Sequence, residues 1–299
     1  MRIGLLGTGP WAGMVYGPVL ASHEGLDFTG VWGRRPEAAK ELADRHGTHA
    51  YDDVDALLAD VDAVAVALPP DVQAELAVRA ARAGRHLLLD KPVATTAAGA
   101  RAVAAAAEEA GVASVVFFTT RYLTETADWI SARKETGGWF TGHARWLGSV
   151  FAEDGDSPFA TPWRRQKGAL WDVGPHALSV LLPVLGDVRR VSAAVPGPRD
   201  TVHLVLEHTG GASSTVTLSL TAPPAASGSA LELYGDDGVV RLPEPTGSAA
   251  DALSRAAGEL LAAARDGRAH PCDAAFGLRV TEILADAEAL LARSAGEPR

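Results

Sequence analysis

Three short runs in this 299-residue chain hold residue types able to do chemistry. The first is Leu87-Leu88-Leu89-Asp90-Lys91-Pro92. Its apolar part reads as a strand buried on both faces. Pro92 cannot donate to a sheet and ends that strand. Asp90 and Lys91 therefore stand at the carboxyl end of a strand, the edge where open α/β sheets bind ligands. A lysine held there serves as a proton donor or a charge anchor; the plainer reading is an exposed lysine after a core strand. The second run is Gly168-Ala169-Leu170-Trp171-Asp172-Val173-Gly174-Pro175-His176. Asp172 and His176 are four apart, which puts them on one face of a helix. Gly174 and Pro175 are unfavourable inside a helix, so the helix is expected to begin near Pro175. Asp172 then sits at or before its N-terminus, where the dipole favours a carboxylate. An imidazole in the first turn can take or give a proton near neutrality.

The third run, Gly7-Thr8-Gly9-Pro10-Trp11-Ala12, follows the strand-like Ile3-Gly4-Leu5-Leu6 and has the form G-x-G-x-x-A. Gly7 permits the tight turn, Gly9 lets backbone approach a pyrophosphate, and Ala12 allows close helix–strand packing. Pro10 suits a first helical turn, and the helix N-terminus offers N–H groups to an anion. This context predicts dinucleotide binding. An NAD site usually has a carboxylate at the end of the second strand. Here that end reads Gly30-Val31-Trp32-Gly33-Arg34-Arg35. Gly33 leaves room, and the guanidiniums of Arg34 and Arg35 favour a phosphate. NADP is therefore the expected cofactor, with NAD the other choice. Leu68, Pro69, Asp90 and Lys91, at the ends of later strands, complete the expected cofactor contacts.

These residues need a scaffold, and the pattern around them supplies one. Strand signals fall at Ile3–Leu6, Asp27–Trp32, Ala63–Leu68, His86–Leu89 and Ser114–Phe118. Helical patterns lie between them at Pro36–His46, Asp71–Ala83 and Thr95–Ala110, with Asp71 as an N-cap and Gly84 and Gly111 past the helix ends. Alternating β and α predicts a doubly wound parallel sheet over residues 1–118. The pattern then changes. Glu125–Thr136 and Leu170–Leu185 read as helices, Trp139–Val150 as a strand, and Ala152–Lys167 as a loop. Closely spaced strands follow at Val188–Val195, Thr201–Glu207, Ser213–Thr221, Ala230–Tyr234 and Val239–Leu242, then helices near Ala249–Arg265 and Phe276–Ala292. Residues 119–299 are thus expected to form a second α/β domain with a mostly antiparallel sheet. In Ser213–Thr221, Val216, Leu218 and Leu220 alternate with Thr215, Thr217 and Ser219, whose face suits water or a flat partner surface.

Taken together, the chain resembles the Gfo/Idh/MocA oxidoreductases. Gly7-x-Gly9-x-x-Ala12, Asp90-Lys91-Pro92 and Asp172-x-Gly174-x-His176 carry the resemblance in the family's order. Ala264-Arg265-Asp266-Gly267 and Phe276-Gly277-Leu278-Arg279-Val280 extend it to the closing stretch. The resemblance implies an N-terminal Rossmann domain and a C-terminal α/β domain with a large open sheet. It implies hydride transfer between a nicotinamide and a carbinol or carbonyl carbon of a sugar, polyol or inositol. Lys91 corresponds to the family's proton-handling lysine, and Asp172 and His176 to its aspartate and histidine. The residues leave open which of Lys91 and His176 moves the proton. Asp90 replaces the family's usual glutamate, and a cis Lys91–Pro92 bond is common among its members. Thr119-Thr120-Arg121-Tyr122 stands where the family often has Asn-Arg-Phe or Asn-Tyr-Arg. Arg121, Tyr122, Trp163, Arg164, Asp172 and His176 are the expected substrate contacts. A non-catalytic dinucleotide-binding regulator on the same fold is the alternative, though such a protein would be expected to lose Lys91 or His176.

The bulk properties narrow the classes further. The formal charge of −10 disfavours nucleic acid as a partner. A single cysteine, Cys272, excludes an internal disulfide and fits the cytoplasm. Met1-Arg2 runs straight into the first strand, so no signal peptide is expected, and no apolar run reads as a membrane span. The nine histidines show no metal-binding spacing. A small-molecule substrate and a homodimer or homotetramer, joined through the second sheet, are the expected partners.

Overall fold

The computed structural model describes residues 1–152, 157–244 and 246–296. The chain divides into two compact units, Met1–Tyr122 with Gly247–Thr281, and Leu123–Thr246 with Glu282–Arg299.

The first unit holds six parallel strands: β1 (Arg2–Leu6), β2 (Asp27–Trp32), β3 (His49–Tyr51), β4 (Ala63–Val66), β5 (His86–Asp90) and β6 (Ser114–Phe117). Their order is β3-β2-β1-β4-β5-β6. The order reverses between β1 and β4, so the loops after those strands open at the switch point where such sheets bind ligands. The centre of the sheet is covered on both faces: Ile3–Leu6 of β1, all of β4 and Leu87–Leu89 of β5 are buried, and the edge strand β6 is buried at every residue as well. The strand connections run through α1 (Gly17–Ser22), α2 (Pro36–His46), α3 (Val54–Asp60), α4 (Pro70–Arg82) and α5 (Ala97–Glu109). The glycine loop enters α1 through a π-helical turn, Ala12–Tyr16. Asp71 is not the N-cap of α4; Pro69 takes that place, and Asp71 lies in the first turn, where its charge meets the positive end of the dipole. Thr96 caps α5, accepting from the Gly99 N–H. The pattern reading passed over β3 and α3, because three residues of edge strand carry too little periodicity to register. Asp53 caps α3 by accepting from the Ala56 N–H at 3.0 Å. A short α6 (Thr119–Tyr122) closes the first stretch of the unit.

The second unit begins with α7 (Thr124–Thr136) and β7 (Trp139–Leu147). Then come α8 (Pro162–Asp172), α9 (Gly174–Leu185), β8 (Val188–Pro196), β9 (Val202–His208), β10 (Ser213–Ser219), β11 (Gly228–Gly235) and β12 (Gly238–Arg241). The strand order is β12-β11-β7-β10-β9-β8. Among the described residues only the β7–β10 pairing of this sheet is parallel, so the sheet is mostly antiparallel as expected. Helices α8 and α9 pack on β10, and α9 also on β7. Val216, Leu218 and Leu220 are buried. Ser219, expected on the polar outer face, is buried as well, because its hydroxyl donates to Asp200 at 2.7 Å.

Three expectations change here. The loop read over Ala152–Lys167 is helical from Pro162, and residues 153–156 of it lie outside the described residues. The single helix read over Leu170–Leu185 is the end of α8 followed by α9, with a further break at Gly168, whose φ is +66°. By length and composition alone the run Pro162–Leu185 would cross a bilayer, contrary to the reading that no stretch would; 72% of its apolar window is buried in the protein. That burial is what a core helix requires.

The chain ends with α10 (Ala249–Asp266) and α11 (Ala274–Gly296). A capping box starts α10: the Ser248 hydroxyl takes the Asp251 N–H, and the Asp251 carboxylate takes the Ser248 N–H. The buried stripe of α10 lies on α6, β5 and β6. Residues 247–281 thus pack with the first unit, where the sequence pattern assigned everything after residue 118 to the second.

Candidate functional site

The glycine loop is shaped from below by backbone. Gly7 has φ +133°, and its N–H donates to Trp32 O at 2.9 Å. A Cβ on Gly7 would fall 2.3 Å from Ala67 O, so the turn requires glycine for conformation and space alike. Gly9 is the reverse case, since a Cβ there would meet no protein atom within 4 Å. The backbone at Gly9 faces open space, as a loop that receives a ligand must. Ala12 is fully buried, the small residue that close packing needs. A crevice of about 400 Å³ opens beside the loop, lined by Thr8, Gly9, Pro10, Met14, Arg35 and Arg45 among others. Arg34 and Arg35 are both exposed, but of the two only Arg35 lines the crevice, and Trp11 is half-buried. The room beside Gly33 is taken by Thr8: a Cβ on Gly33 would lie 2.5 Å from Thr8 Cγ2. Gly33 therefore seats the glycine loop against the end of β2. Leu68 and Pro69, both half-buried, follow β4 at the same edge of the sheet.

The turn after β5 is tied down tightly. Lys91–Pro92 is cis. The Lys91 N–H donates to its neighbour's carboxylate, Asp90 Oδ1, at 2.8 Å. Asp90 and Lys91 are half-buried, and Pro92 and Val93 are buried. Gln73, on α4, reaches this turn and is fully buried. Its Oε1 accepts from the Asp90 N–H at 2.9 Å, and its Nε2 lies 2.7 Å from Asp90 O, 3.0 Å from Pro92 O and 3.2 Å from Val93 O. Sequence reasoning missed Gln73. A signal existed: Gln73 occupies the apolar stripe of α4 with Leu76, Ala77 and Ala80, where a polar residue requires an explanation.

Arg121 and Tyr122 belong to the first unit. The Arg121 guanidinium lies 4.8 Å from the Phe276 ring centroid. Tyr122 is only 3% exposed and stacks on His270. Burial pushes its phenol well above the usual range. Its ring is part of the core rather than of a substrate-facing surface.

In the second unit, α8 gathers the polar groups read from the sequence. Asp172 is 5% exposed, and its Oδ1 lies 3.0 Å from Arg164 Nε. A buried carboxylate needs such a partner. Arg164 in turn rests on Trp163, at 4.6 Å from the ring, and donates to Phe159 O at 3.3 Å. Asp172 ends α8, and the half-buried His176 is the third residue of α9, so Pro175 does open a helix after the carboxylate. Glu288 on α11 is a second residue the sequence reading missed. It accepts from Lys167 Nζ and from Trp171 Nε1, both at 3.0 Å, and so pins the turn of α8 that carries Asp172.

Two family profiles match this chain. One, described as "Oxidoreductase family, NAD-binding Rossmann fold", covers residues 1–118, and the C-terminal domain of the same family covers residues 132–241. The chain is 33% identical to D-xylose 1-dehydrogenase (NADP(+)) 2 of Haloferax volcanii, over 75% of this chain and 70% of that protein. It is 31% identical to dTDP-3,4-didehydro-2,6-dideoxy-alpha-D-glucose 3-reductase of Streptomyces violaceoruber, over 65% of this chain but only 57% of that enzyme's length. A solved structure of levoglucosan dehydrogenase, complexed with NADH and L-sorbose, superposes with a TM-score of 0.85 at 20% identity, covering 98% of this chain and 97% of that one. The chain belongs to the GFO/IDH/MocA family of NAD(P)-binding oxidoreductases.

Proposed function

We propose that this protein oxidises or reduces a carbinol or carbonyl carbon of a sugar, polyol, inositol or related small molecule, with NADP(H) preferred over NAD(H). The observation that carries the reading is the pairing of an open Gly9 cradle with a buried, hydrogen-bonded turn that presents Lys91 at the end of β5. The cradle supports a bound pyrophosphate, because a side chain there would fill space that the protein leaves free. When bound, the nicotinamide ring supplies or accepts the hydride.

The protein's part is proton handling and orientation. Oxidation of an alcohol requires a base for the hydroxyl proton, and the reverse reaction requires an acid. Lys91 Nζ or the His176 imidazole fills that role. Asp172, held by Arg164, orients the histidine or a substrate hydroxyl. Trp163, Arg164 and Arg121 serve as substrate contacts. The absence of a carboxylate after Trp32 and the place of Arg35 in the crevice support a 2′-phosphate, and thus NADP. Haloferax volcanii xylose dehydrogenase, whose name specifies NADP(+), is in accord. We assign cofactor binding to residues 1–118 and substrate binding with self-association to residues after 118. A cytoplasmic location agrees with the single buried Cys272.

The test combines titration and turnover. NADPH should bind at least about tenfold more tightly than NADH. Turnover is to be sought with D-xylose, levoglucosan, myo-inositol and their keto derivatives. Lys91→Met should abolish that turnover while NADPH still binds, within about tenfold of the native dissociation constant. Tighter NADH binding overturns the cofactor preference, and an unchanged kcat in Lys91→Met moves the proton to His176.

A further inference from the structure

We propose that Gln73 is a positioning residue for Lys91, an inference that rests on the role given to Lys91 above. Strand β4 stops pairing with β5 at Val66↔Leu89, one residue before Asp90. Beyond that point the backbone of β5 has no strand on that side, and the Gln73 amide takes over. Its oxygen accepts from the Asp90 N–H and its nitrogen donates to Asp90 O, as the peptide of a neighbouring strand would. The same nitrogen lies within hydrogen-bond reach of Pro92 O and Val93 O. Two N–H groups therefore serve three carbonyls, one of them in a shared bond.

The residues on both sides of Lys91 are thus held by one side chain. From another direction Gly277 presses on the same turn, since a Cβ there would lie 2.5 Å from Val93 Cγ2. A buried glutamine has to satisfy every polar atom it carries, and here it does so on the turn itself. An apolar residue would fill the core of α4 as well, so filling space does not explain an amide at this position. Fixing the Cα of Lys91 does, because a displacement of about 1 Å in a reacting group lowers a rate by about 100-fold.

The experiment reads Lys91 directly and needs no substrate. The chain has four lysines, Lys40, Lys91, Lys134 and Lys167. Reductive methylation with 13C-formaldehyde gives each a dimethylamino NMR signal, and Lys91→Arg identifies the relevant one. Spectra of the native protein and Gln73→Met are compared without ligand and with NADP+. Val103→Ala, a truncation in the buried face of α5, controls for lost stability. In Gln73→Met the Lys91 signal should move to the position of exposed Lys40 and Lys134, and its response to NADP+ should shrink. NADP+ affinity should stay within about threefold of native, and Val103→Ala should leave the signal in place. A Lys91 signal identical in native and Gln73→Met protein overturns the proposal, as does an equal change in Val103→Ala. Should Gln73→Met not fold, Gln73→Asn, which keeps the amide but falls one methylene short, carries the same test. A native Lys91 signal indifferent to NADP+ would count against the cofactor-site reading of Lys91, while the two unliganded spectra still decide on Gln73.

Discussion

Individual glycines in the cofactor loop do different jobs, and the same substitution separates them. Gly7→Ala forces a Cβ into the Ala67 carbonyl at an unfavourable positive φ. We expect a stability loss of roughly 2–5 kcal/mol, from backbone strain and overpacking combined. Gly9→Ala meets no protein atom. It should leave stability within about 1 kcal/mol of native, yet weaken NADPH binding by about tenfold or more as the methyl enters the cradle. Urea unfolding and a fluorescence titration of both variants check this. Equal effects on folding and binding at the two positions would refute the assignment. Both glycines were legible in the sequence, because a G-x-G-x-x-A run after a strand has a backbone reason for each position. The seating of Thr8 against Gly33 was not, because it joins residues from different strand ends.

At the level of elements, the helices and strands carry titratable groups whose burial sets a pH limit. His208, the last residue of β9, is 2% exposed. Its Nδ1 lies 2.7 Å from Gly186 O, and its Nε2 lies 2.8 Å from Ser214 Oγ. Burial lowers its pKa below 6.5, against opposing pulls from the Gly186 carbonyl and Asp187. The native protein then holds fewer protons here than the unfolded chain does. Stability from this group is complete above the unfolded value of 6.5 and is lost as pH falls below it. His46 and His86 shift in the same direction, also by burial. The unfolding free energy from urea melts should therefore drop between about pH 7.5 and about pH 5.5, by at most about 1.4 kcal/mol per pH unit for each proton. His208→Gln should flatten that slope, and an unaltered slope would remove His208 as its source. The element boundaries themselves were largely readable. Pro36–His46 coincides with α2 and Asp27–Trp32 with β2, because proline, glycine and apolar period mark their ends. Helix α8 was missed over its first turns because Trp163, Arg164, Arg165 and Lys167 form no apolar stripe.

For the molecule as a whole, the outer face of the second sheet bears on assembly. Across it Thr215 stands between Val205 on β9 and His143 on β7. His143 Nδ1 and Thr215 Oγ1 are 2.7 Å apart, so the polar groups satisfy one another within the sheet. Val205 and Val195, the latter paired with His203 of this face, remain exposed at 39% and 52%. A flat face with satisfied polar groups and bare apolar ones suits a second copy of the chain. Sedimentation at micromolar concentration should show a dimer or tetramer, and Thr215→Arg should dissociate it without loss of helix content. A monomeric native protein would refute self-association.

What the sequence determined by itself was local: where strands end, where glycines stop helices, and which chemical groups stand at those ends. Lys91 after an apolar run, Asp172 ahead of Pro175 and the glycine loop after β1 all follow from turn chemistry within a few residues. The tertiary structure decided what is remote in the chain. It placed Gln73 on the Lys91 turn, Arg164 on Asp172, Glu288 beneath α8, and residues 247–281 in the first unit. Periodicity reports which face of an element is buried, but it carries no information about which buried face meets which, and these contacts form only when two faces pack.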